Sequence, residues 1–376
     1  MLYSNEALEN KTQLVLKALM SLGIPDVAAS KELSEQEQRK HGIYSRDFGI
    51  DTWDWPQGVG LYGFEKLQSY YGDVRYDEFL DNWFKKNIAE GLPSQNINTT
   101  APYIVLQKLA DRKDSSEYKT MCAQRAKWLI NDLPKTNEGG FQHVTTGFEG
   151  KQSVILNEQQ LWVDTLFMAV LFLAREGVAQ NDSRLIGEAV HQILIHIKYL
   201  YNKQTRLFYH GWSFARNDNF GEIFWNRGNS WFAYGVLELL EALGSHIDSG
   251  SKAFILDTYK AQMNALLPLQ TKSGLWHTIL DDDTSYEEVS GSAAFCAAMF
   301  KGMRIGLIDA SYAPCAEKAL AGVIANIGED GIVQNVSTGT AMGYDAQHYK
   351  DIAIAPIGYG QSMTALALIE AMEWNK

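Results

Sequence analysis

Along most of the chain, apolar residues recur at three- and four-residue steps, the spacing that gathers them on one face of a helix. The pattern predicts helices near 6–22, 55–71, 76–90, 98–111, 116–132, 157–175, 183–202, 226–243, 251–269, 290–307, 310–327 and 358–374. Gly, Pro or Asn-Asp punctuation separates them, and no alternating run is long enough for a sheet. No Ser/Pro/Gly-rich linker divides the chain, so residues 1–376 are expected to form a single domain.

A weak repeat underlies the helical pattern. "EGGFQH" (138–143), "TRLFYH" (205–210), "SGLWHT" (273–278) and "EDGIVQN" (329–335) each follow one helix and precede the next. Each has a turn residue or polar pair, then bulky apolar residues, then His or another polar residue. Their spacing matches one helical hairpin with its loops. Twelve helices in six hairpins predict an all-α fold, a closed double ring of the (α/α)6 barrel kind. The inner helices would be 55–71, 98–111, 157–175, 226–243, 290–307 and 358–374. Several begin in small or polar residues, such as Asn157-Glu158, Gly228-Asn229-Ser230 and Gly358-Tyr359-Gly360. Such residues cap helices and leave open space with free backbone N–H groups. All the repeated loops then crowd around one mouth, where a site is expected.

Charge and composition narrow the partners. A formal net charge of -12 opposes nucleic acid or an anionic membrane surface, both of which reward clustered Lys and Arg. An anionic small substrate stays compatible if a few cations are focused in a cleft. Cys122, Cys296 and Cys315 fit no paired metal spacing and are expected to be inert thiols in a reducing compartment. The N-terminal stretch carries Glu6, Glu9 and Lys11 and reads as an amphipathic helix, not an export signal, so a cytoplasmic protein is expected. "DDDTSYEE" (281–288) lacks a calcium loop's glycine and spacing, and no nucleotide-binding fingerprint occurs, so neither a calcium ion nor a nucleotide cofactor is expected.

The chemistry-bearing residues gather near the predicted mouth. "WDWPQGVGLYGF" (53–64), "FYHGWSF" (208–214) and "FWNRGNSWF" (224–232) hold Trp53, Trp55, Trp212, Trp225 and Trp231, interleaved with Gln57, His210 and Arg227. Aromatic faces beside such polar groups suit sugar rings, which offer apolar C–H faces and hydroxyl edges; the other reading is that these tryptophans pack the core. Arg227, in an otherwise uncharged stretch, could hold a carboxylate bidentately or bridge a structural acid. His143 and His210 occupy matched places in the repeat. "LWVDTLFM" (161–168) sets Asp164 among large apolar residues, two turns into the predicted third inner helix. Desolvation there would raise its pKa, the condition for a general acid near neutral pH, although structural burial is an equal alternative.

Several of these stretches, in order, carry a family resemblance. "WDWPQGVGLYGF", "EGGFQH", "LWVDTLFM", "LFYHGW", "FWNRGNSW" and "YEEVSGSAAF" resemble the unsaturated rhamnogalacturonyl hydrolases of glycoside hydrolase family 105, and more distantly the unsaturated glucuronyl hydrolases. The resemblance implies an (α/α)6 barrel acting on an oligosaccharide with a 4,5-unsaturated uronic acid at its non-reducing end. It implies hydration of the C4=C5 vinyl ether, with Asp164 as the proton donor and Trp53, Trp55, Trp225 and Trp231 as stacking surfaces. His210 and Arg227 match pocket positions, and rhamnose is the expected neighbouring sugar. Where many relatives carry a second Asp, the loop "LPSQNINTTAP" offers Asn96, with Asn98 as the alternative, for a positioning role. The rival readings are an inverting glycosidase on saturated substrates, with Glu158 or Glu288 as second carboxylate, and a non-catalytic sugar-binding barrel. A monomer or homodimer is expected.

Overall fold

The computed structural model describes residues 3–24 and 45–376. Its helices are α1 (Asn5–Met20), α2 (Trp55–Tyr71), α3 (Asp77–Ala89), α4 (Tyr103–Arg112), α5 (Ser116–Asn131), α6 (Leu171–Gln180), α7 (Ser183–Leu200), α8 (Asn226–Leu243), α9 (Ser249–Leu266), α10 (Val289–Arg304), α11 (Ala313–Ala325), a short α12 (Ala346–Lys350) and α13 (Gly358–Trp374). Around the centre, α2 packs on α4, α4 on α6, α6 on α8, α8 on α10, α10 on α13, and α13 back on α2. The inner ring is therefore closed. Outside it lie α1 against α13, α3 and α5 against α4, α7 against α6, α9 against α8 and α11 against α10. This is the (α/α)6 architecture.

The sequence explains which helix goes where. In α9 the buried residues Ile255, Tyr259, Met263 and Leu266 fall on one stripe, so one face meets the barrel and the other meets solvent. In α13 every residue from Gly358 to Met372 is buried, as an inner helix requires. Local chemistry fixes the ends. The Asp54 side chain accepts the Trp55 N–H at 2.7 Å, Pro56 sits in the first turn, and Gly72 ends α2 in the left-handed region at φ 67°. Gly58 permits a close crossing, since a Cβ there would lie 2.5 Å from the Pro102 nitrogen ahead of α4.

The repeated loops share one construction. Bridges pair Lys135 with Phe141, Tyr201 with Phe208 and Ile327 with Val333. In each loop a buried backbone N–H donates to a helix side chain: Phe141 to Gln192 at 2.8 Å, Phe208 to Asn229 at 2.7 Å, Trp276 to Ser292 at 2.9 Å and Val333 to Gln361 at 2.6 Å. A buried loop must satisfy its backbone somewhere, and Asn229, Ser292 and Gln361 in the first turns of inner helices, with Gln192 midway along α7, do it here.

The sequence pattern missed three short antiparallel ladders: β1 (Thr145–Thr146) with β2 (Val154–Ile155), β3 (Gln160–Trp162) with β4 (Gly211–Ser213), and β5 (Trp276–His277) with β6 (Glu287–Glu288). Two or three residues are too few to show a period. The predicted third inner helix also starts late. Asn157 and Gln159 have φ of 44° and 57°, β3 follows, and a π-helical turn at Leu166–Val170 leads into α6. Asp164 therefore lies before the helix, not two turns inside it. Among the described residues no helix is long and apolar enough to cross a membrane. Cys122 and Cys296 are buried free thiols, and Cys315 is half-buried.

Candidate active site

At the N-terminal ends of the inner helices lies a cavity of about 220 Å³. Its wall includes Trp55 from α2, His143 from the first repeated loop, Trp162 from β3, Asp164, and Trp225 just before α8. The β1–β2 hairpin and the stretch from Gly339 to Tyr344 close its sides.

Asp164 is held from two directions. The Trp231 indole N–H donates to its Oδ1 at 3.1 Å, and His210 Nε2 stands 3.4 Å from its Oδ2. The other ring nitrogen of His210 is fixed by the Tyr349 hydroxyl at 2.7 Å. The Asp164 side chain keeps 14% of its surface exposed, enough to meet a ligand while its carboxyl stays aimed. Burial pushes this carboxyl up, but the His210 imidazole, with His143 and Arg227, outweighs it and leaves Asp164 below the ordinary aspartate range. The sequence expectation of a raised value is thus corrected: the apolar neighbours in "LWVDTLFM" are only half of the environment.

His143 stacks on Trp162 with ring centres 4.4 Å apart, and its Nδ1 meets the Thr165 hydroxyl at 2.8 Å. Burial drives its imidazole down to about 3, so it is neutral and serves as a polar wall, not a cation. Trp55 stacks on Tyr359 at 4.7 Å and stands edge-on to Trp231. Trp225 tilts against His210 at 4.4 Å.

Other sequence candidates lie behind the wall. Trp53 is 2% exposed, stacks on Trp83 and donates to Thr99 O, so it packs the core. Gln57 donates to Arg46 O and Gly49 O, holding the segment ahead of α2. Trp212 tilts against Tyr199 away from the cavity. Asn96 is fully buried; its Oδ1 accepts the Thr99 N–H at 2.9 Å and its amide donates to Ser94 O and Thr146 Oγ1. With its amide so committed it cannot position a water, whereas Asn98 lines the cavity.

Arg227 also differs from expectation. It is fully buried, and its guanidinium donates to Ser337 O, the Ser337 hydroxyl, Thr338 O and Thr340 Oγ1. Glu288 lies 3.7 Å away, and Trp225 and Tyr359 sandwich the cation at 4.5 and 4.7 Å. It anchors the loop that forms one cavity wall and does not itself reach the cavity. The guanidinium on the wall is that of Arg46, beside Asp47. Sequence reasoning passed over both. The available signal was an Arg and two acids, Asp47 and Asp54, set among Phe48, Ile50, Trp53 and Trp55 just ahead of an inner helix.

Neither carboxylate named for the rival glycosidase reading reaches the cavity. Glu158 is exposed and outside the cavity, and Glu288 is buried, accepting from Ser290, Gly291 and Ser337.

Known proteins are similar to this chain in sequence and fold. The family description Glycosyl Hydrolase Family 88 matches residues 29–374. The unsaturated rhamnogalacturonyl hydrolase YesR of Bacillus subtilis is 31% identical over 336 residues, covering 89% of this chain and 94% of that protein. A crystal structure of a possible GH105 member from Salmonella enterica serovar Paratyphi A superposes with a TM-score of 0.89 at 33% identity, covering 99% of this chain and 95% of that one. The unsaturated glucuronyl hydrolase of Bacillus sp. GL1 shares the fold, with a TM-score of 0.68 at 15% identity over 98% of this chain and 97% of its own. With nearly its whole length matched, the chain belongs to glycosyl hydrolase family 88.

Proposed function

We propose that this enzyme removes a 4,5-unsaturated uronic acid from the non-reducing end of an oligosaccharide by hydrating the C4=C5 bond. One observation carries the reading: the Asp164 carboxyl, aimed by Trp231 and His210 on a cavity wall built from indole and imidazole faces, in a chain similar over most of its length to an unsaturated rhamnogalacturonyl hydrolase. Rhamnose is the neighbouring sugar this likeness favours.

The residues suit the steps. Vinyl ether hydration needs a proton delivered to C4 and water delivered to C5. Asp164 delivers the proton, its carboxyl aimed by the Trp231 indole and the His210 imidazole. An arriving uronate carboxylate and the expulsion of water both raise the proton affinity of Asp164, so the low value of the free site favours base chemistry only until substrate binds. The ionised Asp164 then takes a proton from water as its oxygen bonds to C5. The resulting hemiketal opens to a ketone, O5 stays on C1, and C1 expels the neighbouring sugar as an aldehyde forms. Trp55 and Trp162 offer faces for the ring, and neutral His143 and Asn98 offer partners for hydroxyls.

A panel of unsaturated uronyl disaccharides tests this. Loss of the ultraviolet absorbance of the conjugated double bond, with release of the neighbouring sugar, is expected, fastest on the rhamnose-linked member. Steady absorbance across rhamnogalacturonan, ulvan and glycosaminoglycan products would contradict it.

A further inference from the structure

The cavity has a second carboxyl, Asp47, that the hydration steps do not use. It is 3% exposed and lies on the wall between Trp55 and Gly339. Its Oδ2 is packed so closely there that a Cβ on Gly339 would come within 2.5 Å of it and within 3.8 Å of Trp55. Gly339 thus leaves space for the carboxyl at the cavity edge.

Among the described residues, acids outnumber the cations beside them at this corner. Arg46 donates its terminal nitrogens to Thr146 O and Gly147 O, which ties down the β1–β2 hairpin. Its Nε lies 3.6 Å from Asp54 and 3.8 Å from Asp47. Asp54 also accepts the Trp55 N–H, so it is the better satisfied anion. Among the described residues, the other groups that face Asp47 are Arg227 from α8 and the Tyr359 phenol from α13, and Gly339 adds no charge. Two buried carboxyls beside one adjacent guanidinium favour keeping one proton. Burial, with Asp54 adding to it against Arg46 and Arg227, brings Asp47 up to about 7.

We infer that the Asp47 carboxyl donates its O–H to the carboxylate of the unsaturated uronate, with Arg46 beside the pair, and that Asp47 therefore selects an anionic sugar. This rests on the proposed function for its substrate. An acid–carboxylate hydrogen bond is short and charge-assisted, and it is lost when the acid ionises and repels its guest. Asp47 acts in binding, not in proton transfer to carbon.

KM and kcat on an unsaturated uronyl disaccharide and on its methyl ester, across pH 6 to 9, test the assignment. For the wild type, KM for the acid should rise by about tenfold per pH unit above the Asp47 value while kcat follows its own profile. Asp47→Asn keeps a donor and cannot ionise, so its KM should lose that rise; Asp47→Ala should raise KM about tenfold at pH 6. The ester's KM should be indifferent to Asp47. A rise in KM that survives in Asp47→Asn, or that the ester shares, would overturn the inference. Should either variant fail to fold, Gly339→Ala displaces the same carboxyl and must raise KM for the acid at pH 6. If no unsaturated disaccharide turns over, the proposed function is what has failed; calorimetric binding of free galacturonate at pH 6 and 8 then decides on Asp47, tighter binding at pH 6 that Asp47→Asn abolishes being the required result.

Discussion

The inner helices bury acids at both of their ends, and the two clusters are built on opposite terms. At the C-terminal end, Glu238 of α8 meets Lys66 at 3.0 Å, Arg175 at 3.5 Å, Lys301 and the Tyr62 hydroxyl. Its neighbour Glu370 is held by Arg304 at 2.8 Å. Burial opposes the charge on Glu238, but the surrounding cations win and hold it well below the ordinary range. At the N-terminal mouth, Asp164 has an indole and an imidazole, and Asp47 and Asp54 stand beside one guanidinium. The floor is saturated with cations and locks the ring. Among the described residues the mouth has fewer: an imidazole chiefly holds Asp164 down, and burial brings Asp47 up to about 7. Acids at a cavity balanced by an imidazole or a lone guanidinium suit chemistry, whereas an acid locked among several cations suits architecture.

The largest effect should come from Asp164→Asn at the mouth. It removes both proton donor and base, and kcat should fall by about 10⁴-fold with disaccharide affinity, measured by calorimetry, changed by less than about threefold. Equal losses of affinity and turnover would assign Asp164 to binding. At the floor, Lys301→Met leaves Glu238 under-compensated and should lower stability in urea by about 3 kcal/mol, with kcat of the folded enzyme unchanged. A change in kcat there would erase the distinction between the two ends. His210→Gln should lower kcat about 100-fold. It should also move the Asp164 titration, followed by carboxyl carbon NMR, to higher pH, because the imidazole that opposes burial is gone.

The smallest effects are pH slopes of opposite sign. Glu238 is depressed in the fold, so its contribution is present above the unfolded glutamate value and is lost as pH falls. Asp47 is raised to about 7, so its neutral form stabilises at low pH and stability falls as pH rises towards that value. Asp47→Asn should therefore gain a few degrees in Tm over the wild type at pH 8 and little at pH 4. Glu238→Gln should flatten the loss of Tm on acidification. Matching slopes in the two variants would show the clusters to be alike.

Much of this was legible in the sequence and some was not, for physical reasons. Helices show through their period, so the helices of the double ring could be placed except the third inner one, whose start was read too early, and polar helix starts announced the mouth. The segment 157–165 could not be read, because positive φ at Asn157 and Gln159 and a three-residue strand leave no periodic trace. Trp53 and Trp55 look alike in sequence, yet one stacks on Trp83 in the core and the other faces the cavity. Arg227 finds its partners at Ser337, Thr338 and Thr340, more than a hundred residues away, a pairing no local pattern reveals. Arg46 and Asp47 precede their helix in a segment with no period at all.

The most direct test of the central claim is a single turnover of an unsaturated uronyl rhamnose disaccharide in D₂O, with absorbance and rhamnose release followed together. Hydration at C4=C5 predicts that absorbance falls no later than rhamnose appears, and that one deuteron sits at C4 with defined stereochemistry. Rhamnose release that outruns the loss of absorbance, with deuterium scrambled at C4, would mean attack at the anomeric carbon and would contradict the role given to Asp164.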